Sequence, residues 1–360
     1  MHTVFTFALL VPPFGALFVA TQRSRFGSQL RRALAAALAG SRPLAQLALL
    51  SLLVAALSLV MQAFDARQLL GASVWLKPAK FGISIAIASF SLALLLPKLA
   101  LPAKARRRTV GLIVSLLALE LVIITIQAAR GLGSHFNYAT RLDAALFQVM
   151  GVGITIATAA IGYLGVRAFR TRFDDRALGW GVRFGFAAML LGSVIAFLMP
   201  HPTAEQLASL RAGKPTLVIG AHAVGVRDGG PGLPLTGWSS EGGDLRIPHF
   251  IGLHGLQIVP LLGWWLSRRR MQQALAARLT IIAGVGYLGL VVTTLQQALR
   301  AQPWLAPDAL TVDLGAAVGV ACALAALVSG LAASRAAAHE TQPHGAAPDR
   351  QVRRVTARAV

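Results

Sequence analysis

Cysteine is almost missing from this chain: its 360 residues contain one, Cys322, so neither an intramolecular disulfide nor a cysteine-based metal motif can form. Acidic residues are scarce as well. Thirteen Asp and Glu stand against 34 Lys and Arg, for a formal net charge of +21. Charged residues of both signs make up 13% of the chain, against about 25% in an ordinary soluble domain. Long stretches therefore carry no charge at all, and apolar residues fill them: 56% of the chain is hydrophobic and the mean hydropathy is +0.65. A soluble globular domain is excluded on these figures. Nucleic-acid binding, the usual meaning of so basic a soluble chain, is not expected either, because most of the cations lie in short connectors that face an anionic leaflet.

Those connectors are 21–43 (Arg23, Arg25, Arg31, Arg32, Arg42), 97–109 (Lys98, Lys104, Arg106, Arg107, Arg108), 167–178 (Arg167, Arg170, Arg172, Arg176) and 268–278 (Arg268, Arg269, Arg270, Arg278). With the tail after Ser334 they hold 23 of the 34 Lys and Arg. Basic connectors stay in the cytoplasm, which forces the alternate, cation-poor ones outward. Apolar stretches of about 20 residues, the length a roughly 30 Å hydrocarbon core requires, lie between them. They predict nine spans, near 4–20, 44–64, 77–97, 109–129, 143–166, 179–200, 249–267, 279–298 and 311–333. The expected fold class is thus all-α: a polytopic transmembrane helical bundle, N-terminus out and C-terminus in. The 4–20 segment carries Pro12 and Pro13 and is expected to be a retained anchor, since a signal peptide would have a basic leading region that Met1 and His2 do not supply. Trp75 marks an outer edge, and Trp180, Trp264 and Trp265 mark inner edges, where amphipathic rings settle.

A single transmembrane domain, 1–334, is expected, followed by a basic tail, 335–360, whose prolines and lack of apolar period predict disorder. The expected partner is the bilayer itself, with anionic lipid facing the cytoplasmic connectors. No internal repeat is visible, which weighs against an inverted-repeat transporter. One connector breaks the pattern of short loops: 201–248. Its start predicts a short helix with a capping box from Thr203 to Gln206. Its remainder is dense in turn formers yet carries Leu217, Val218, Ile219, Val224 and Val226, so an ordered cap over the outer mouth is expected.

Polar groups inside a membrane are costly and mark candidate sites. Lys77 and Lys80 open the third span beside Pro78, and Lys77, Ser84 and Ser91 recur every seven residues on one face. Two ammonium groups at the positive end of a helix dipole call for a negative partner. Glu120, about 13 Å below the outer end of the fourth span by helical rise, is one such partner, and a joint Lys80–Glu120 unit is expected. Gln127 follows Glu120 on the same face. The seventh span opens with Asp244, Arg246 and His249 and carries His254 and Gln257 deeper. His135 and Asn137 lie in the connector after the fourth span. His135, His222, His249 and His254 are the candidate ligands for a transition metal or haem, although the i, i+5 spacing of His249 and His254 is not the i, i+4 spacing of a helical metal pair.

The stretches GLGSHFN (Gly131 to Asn137), GAHAVGVRDGGPGLPLTGWS (Gly220 to Ser239) and GDLRIPHFIGLHGLQ (Gly243 to Gln257) resemble a family of bacterial multi-pass membrane proteins with no assigned function. The resemblance implies a membrane region of this class and transfers no catalytic role. The leading expectation is a protein that binds or transports a small solute through an outward-facing polar cavity. The alternatives are a membrane-embedded metal or haem redox protein and a structural accessory subunit.

Overall fold

The computed structural model describes residues 13–340, with side chains from Gly27 to Ala336. Ten α-helices follow one another: α1 (Pro13–Gly40), α2 (Arg42–Phe64), α3 (Leu76–Leu95), α4 (Ala103–Ala129), α5 (Arg141–Arg170), α6 (Arg176–Ala196), α7 (Ala204–Arg211), α8 (Arg246–Ser267), α9 (Gln273–Leu299) and α10 (Ala309–Glu340). Among the described residues strand structure is limited to two short antiparallel pairs, β1 (Gln68–Leu69) with β2 (Ala72–Ser73) and β3 (Ala223–Val224) with β4 (Gly243–Asp244).

Eight of these helices, α2 to α6 and α8 to α10, are long and apolar enough to cross a membrane. They coincide with the last eight expected spans. Most of the expected 4–20 span lies outside the described residues, and the expected 21–43 connector is helical as far as Gly40. Helix α10 continues past Ser334 to Glu340, so the first residues of the expected tail are helical, and the rest of that tail lies outside the described residues.

Helix ends follow local chemistry. Thr140 caps α5 by accepting from the Asp143 N–H (3.1 Å), and Asp175 caps α6 by accepting from the Leu178 N–H (2.9 Å). The capping box expected at α7 forms in full: Thr203 Oγ1 accepts from Gln206 N–H (3.2 Å) and Gln206 Oε1 from Thr203 N–H (2.9 Å). Gln206 also holds Gly220 through both its backbone groups, which ties α7 down to the long connector.

In lipid, helices gain little from burying apolar surface against one another and instead associate through close packing at small residues. The most extensive helix pair, α6 with α8, does this at glycines. A Cβ on Gly252 would come within 2.5 Å of the Gly192 Cα, so any larger residue at either position forces the two backbones apart. The main core joins α2 to α6 and α8 through Leu44, Leu92, Ile113, Leu164, Phe186 and Leu256. At the periphery, α10 packs on α9 and leaves Val320, Leu324, Leu327, Val328 and Leu331 exposed, as suits a face turned to hydrocarbon.

Alternation of the eight helices gives the bundle two unlike ends. One, the basic end, gathers the connectors at 97–102, 171–175 and 268–272. The other, the loop end, gathers 65–75, 130–140, 197–245 and 300–308.

Candidate functional site

At the loop end two connectors knit into a roof. Ile219 N–H donates to Phe136 O (3.0 Å), Tyr138 N–H to Leu217 O (2.8 Å), and Asn137 bridges Val218. Phe136 has a positive φ of 61° and Gly220 one of 113°. A Cβ on Gly220 would stand 2.7 Å from both Met199 O and the Phe136 ring, so this crossing requires glycine. The β3–β4 pair then returns the chain to the head of α8.

Beneath the roof, ionisable groups from separate elements converge. His135 sits in an aromatic box, with the rings of Phe81 at 5.7 Å, Phe136 at 6.1 Å and Phe147 at 5.9 Å. Its Nδ1 meets Ser134 Oγ at 3.1 Å and its Nε2 lies 3.5 Å from Glu120 Oε1. This places hydroxyl, imidazole and carboxyl groups in a row. Burial holds the His135 imidazole well below its ordinary value, and the charges of Lys77 and His222 push it the same way. His222 packs on Phe136 at 4.9 Å and directs Nδ1 at Asp228 Oδ2 at 2.7 Å. Burial lowers its pKa from 6.5, and Asp228 offsets part of that. Burial alone would raise the Asp228 pKa. The His222 imidazole and the N–H groups of Ala223 and His222 outweigh it and hold the carboxyl at about 2.

Asp244 is fully buried at its side chain and carries Arg246 with an Nη2–Oδ2 separation of 2.5 Å. It also accepts from Ser239 N–H at 2.8 Å, while Arg246 donates to Gly237 O at 2.7 Å. This pair therefore fixes the turn at 237–239 over the head of α8. Between Asp228, Gly237, Ser239 and Arg246 a space of about 20 Å³ remains, enough for one water molecule. The 201–248 connector is ordered, as expected, and this water-sized gap lies within it, where it meets the head of α8.

Lys77 is the remainder of this arrangement. Asp228 has His222 and Asp244 has Arg246 as close partners, whereas Glu120 has only the His135 imidazole, at 3.5 Å. Lys77 makes no hydrogen bond or ion pair among the described residues, and its ammonium stands 5.9 Å from the Phe81 ring centroid.

The expected Lys80–Glu120 unit does not form. Lys80 turns back to the roof and donates to Thr236 O at 2.7 Å, because a long flexible stem near a helix end reaches the polar boundary more readily than a partner below it. Lys77, one turn nearer the end, is instead the lysine whose charge reaches Glu120. Gln127 is also placed elsewhere. Its Nε2 donates to Asp143 Oδ1 (2.9 Å) and its Oε1 accepts from Arg130, which itself binds Asp143 at 2.7 Å. This clip joins α4 to α5 and uses Gln127 up. Asn137 folds its own connector, donating to Gly133 O (2.9 Å) and accepting from Ala139 N–H (3.0 Å).

The two histidines of α8 part company. His249 Nδ1 meets Gly192 O at 2.8 Å, across the glycine contact with α6. His254 Nδ1 meets Gln257 Oε1 at 3.2 Å, and Gln257 Nε2 donates to Ser91 Oγ at 3.0 Å, a chain linking α8 to α3. His201 is exposed. Among the described residues no three of His, Cys, Asp or Glu come together as ligands for one metal ion, so His135, His222, His249 and His254 do not form the expected metal set.

Sequence reasoning missed Asp228, Thr236 and Ser134. The His222–Asp228 spacing within a glycine-rich turn was the available signal for the first. The others act through a backbone carbonyl and a neighbour's ring. No family model matches the chain, and no curated protein or solved structure is similar to it.

Proposed function

We propose that this protein binds a small anionic solute at the loop end and carries it across a bacterial inner membrane, with proton movement through Glu120 and His135. One observation carries the reading: Lys77 is a half-buried cation that makes no hydrogen bond or ion pair among the described residues, while the neighbouring Asp228 and Asp244 are held by His222 and Arg246. A buried charge without a partner is costly, and an anion entering beneath the roof relieves that cost. The water-sized gap beside Arg246 then belongs to a closed state, and the Lys80–Thr236 and Arg246–Gly237 bonds are the ties that open to admit solute.

In this reading the loop end faces outward and the basic end faces the cytoplasm, as the positive-inside rule directs. The 4–20 segment adds a ninth span with the N-terminus out. The resemblance of Gly131–Asn137, Gly220–Ser239 and Gly243–Gln257 to the bacterial family supports that setting. Cysteines placed at Lys214 and Gln272 in a Cys322→Ala background test it. An impermeant thiol reagent applied to intact cells labels the first and spares the second, and labelling of Gln272→Cys overturns the orientation.

The binding step is tested by calorimetric titration of the detergent-purified protein with acetate and succinate. At least one binds wild type, and Lys77→Met abolishes that binding while Lys214→Met leaves it intact. Equal binding by wild type and Lys77→Met removes the solute reading. Elemental analysis with an absorption spectrum on the same sample serves the rival reading, which stoichiometric metal or a Soret band would install in its place.

A further inference from the structure

At the basic end, between α6 and α9, lies a cavity of about 540 Å³ lined by Arg172, Arg176, Trp180, Arg183 and Arg278, with Ile281 at its apolar wall. That volume is within the range of about 300–1,000 Å³ of small-molecule sites. Arg176, Trp180 and Arg183 stand at i, i+4 and i+7 on one face of α6, Arg172 comes from the preceding connector and Arg278 from α9.

We propose that this cavity binds a phosphate group, either the headgroup phosphate of an anionic lipid or a free phosphate. Four guanidinium groups line it, and none forms an ion pair among the described residues. Each offers a planar fork of N–H donors matched to phosphate oxygens. The acids of the adjoining connector do not neutralise them: Asp175 caps Leu178 N–H at 2.9 Å and Asp174 enters no ion pair. The walls are held in place. Arg183 donates to Thr171 O at 2.8 Å and lies over the rings of Phe173 (5.2 Å) and Trp180 (4.9 Å). Gln273 Nε2 fastens the head of α9 to Asp174 O at 3.1 Å. Arg183 is thereby fixed as the floor, with N–H groups to spare, while Arg172, Arg176 and Arg278 are exposed at the rim. Basic pockets between membrane helices are the setting in which lipid headgroup phosphates are held.

The test titrates short-chain phosphatidylglycerol, short-chain phosphatidylcholine and inorganic phosphate into the full chain in neutral detergent, with thermal shift and calorimetry as readouts. The variant is Arg172→Gln/Arg176→Gln/Arg278→Gln. None of these three side chains makes a hydrogen bond or ion pair within the described chain, so the fold does not depend on them, and an unchanged unliganded melting point checks this. Phosphatidylglycerol binds the variant about a hundredfold more weakly than wild type, near fivefold for each cation removed. Phosphatidylcholine, whose headgroup cation cancels its phosphate, shows no such difference. Phosphate alone binding as well as the lipid, with the same loss in the variant, assigns the site to a free anion. Lipid binding without phosphate binding assigns it to the headgroup. Equal affinity of wild type and variant for both, or binding of neither by wild type, overturns the proposal. Because Lys77 is untouched in this variant and the rim arginines are untouched in Lys77→Met, failure here and failure of the solute reading are separable.

Discussion

The two ends of this bundle treat charge in opposite ways. At the loop end every close contact between an acidic and a basic side chain among the described residues is found: Asp65–Arg67, Glu120–His135, Arg130–Asp143, Glu205–Arg227, His222–Asp228, Asp244–Arg246 and Arg300–Asp308. At the basic end arginines bond carbonyl oxygens, as Arg167 does with Ala100 O, or stack on rings, as Arg268 does on Trp264 at 5.5 Å, and none has a carboxylate. The difference teaches what each set of charges is for. Paired charges under a roof hold connectors in one conformation. Unpaired cations at an interface remain available to something outside the chain, whether a lipid leaflet or a bound phosphate.

The comparison makes its strongest demand on the buried pairs. Asp244→Ala strands Arg246 and removes the acceptor of Ser239 N–H, and breaking a buried pair in this way costs about 3–5 kcal/mol. Arg172→Ala at the other end removes an exposed side chain without a partner and changes stability by no more than about 0.5 kcal/mol. Unfolding midpoints of both variants in detergent, read against wild type, decide the matter, and similar losses would erase the distinction between the ends.

Lys80→Met sharpens it at a single bond. The tie to Thr236 O is a charge-assisted hydrogen bond, worth about 1.5–3 kcal/mol locally. Amide hydrogen exchange at Gly237 and Trp238 accelerates in this variant while exchange in α6 stays as in wild type. Unchanged protection at 237–238 would mean that the roof is held without Lys80.

Acid should loosen the same roof. His222 titrates below 6.5 in the folded chain, so between its ordinary and folded values the unfolded chain binds a proton that the folded chain does not. Stability is therefore lost as pH falls through about 6.5, the ordinary histidine value. His135 acts in the same direction. Asp228 adds a second loss at lower pH, between 3.8 and its folded value of about 2. Limited proteolysis of 201–248 is expected to run faster at pH 5.5 than at pH 7.5, and His222→Gln to flatten that dependence. A pH-independent cleavage rate in wild type would show that the His222–Asp228 pair does not hold the roof.

The helical spans were legible because apolar length and the spacing of arginines are one-dimensional signals, and α2 to α6 and α8 to α10 coincide with the stretches that carried them. The cap at 201–248 was legible from its apolar residues among turn formers, and the α7 capping box from Thr203 and Gln206. Partnership was not. Spacing put Lys77 and Lys80 at one end of α3 and Glu120 on α4, but which lysine answers the carboxylate depends on the rotation of α3 and on Thr236, contributed from a loop far along the chain. Gln127 looked like a site residue because it is polar and buried. Its role as a clip needed Arg130 and Asp143, whose meeting is set by the turn between α4 and α5.

The finest division lies between two histidines of the loop end itself. His254 is linked through Gln257 to Ser91 and packs against Phe250 with ring centroids 4.2 Å apart, whereas His201 is exposed and water can take its place. His254→Ala removes the donor to Gln257 Oε1 and slackens the only hydrogen-bonded chain described here between α8 and α3. The net worth of such a bond is about 0.5–1.5 kcal/mol, so the unfolding midpoint drops measurably. His201→Ala stays within about 0.5 kcal/mol of wild type. A Gln257→Leu variant supplies the check: if the chain is real, His254→Ala adds little in that background, because partners in one network are not additive. Fully additive losses would show that His254 acts through its packing on Phe250 and not through the chain to α3.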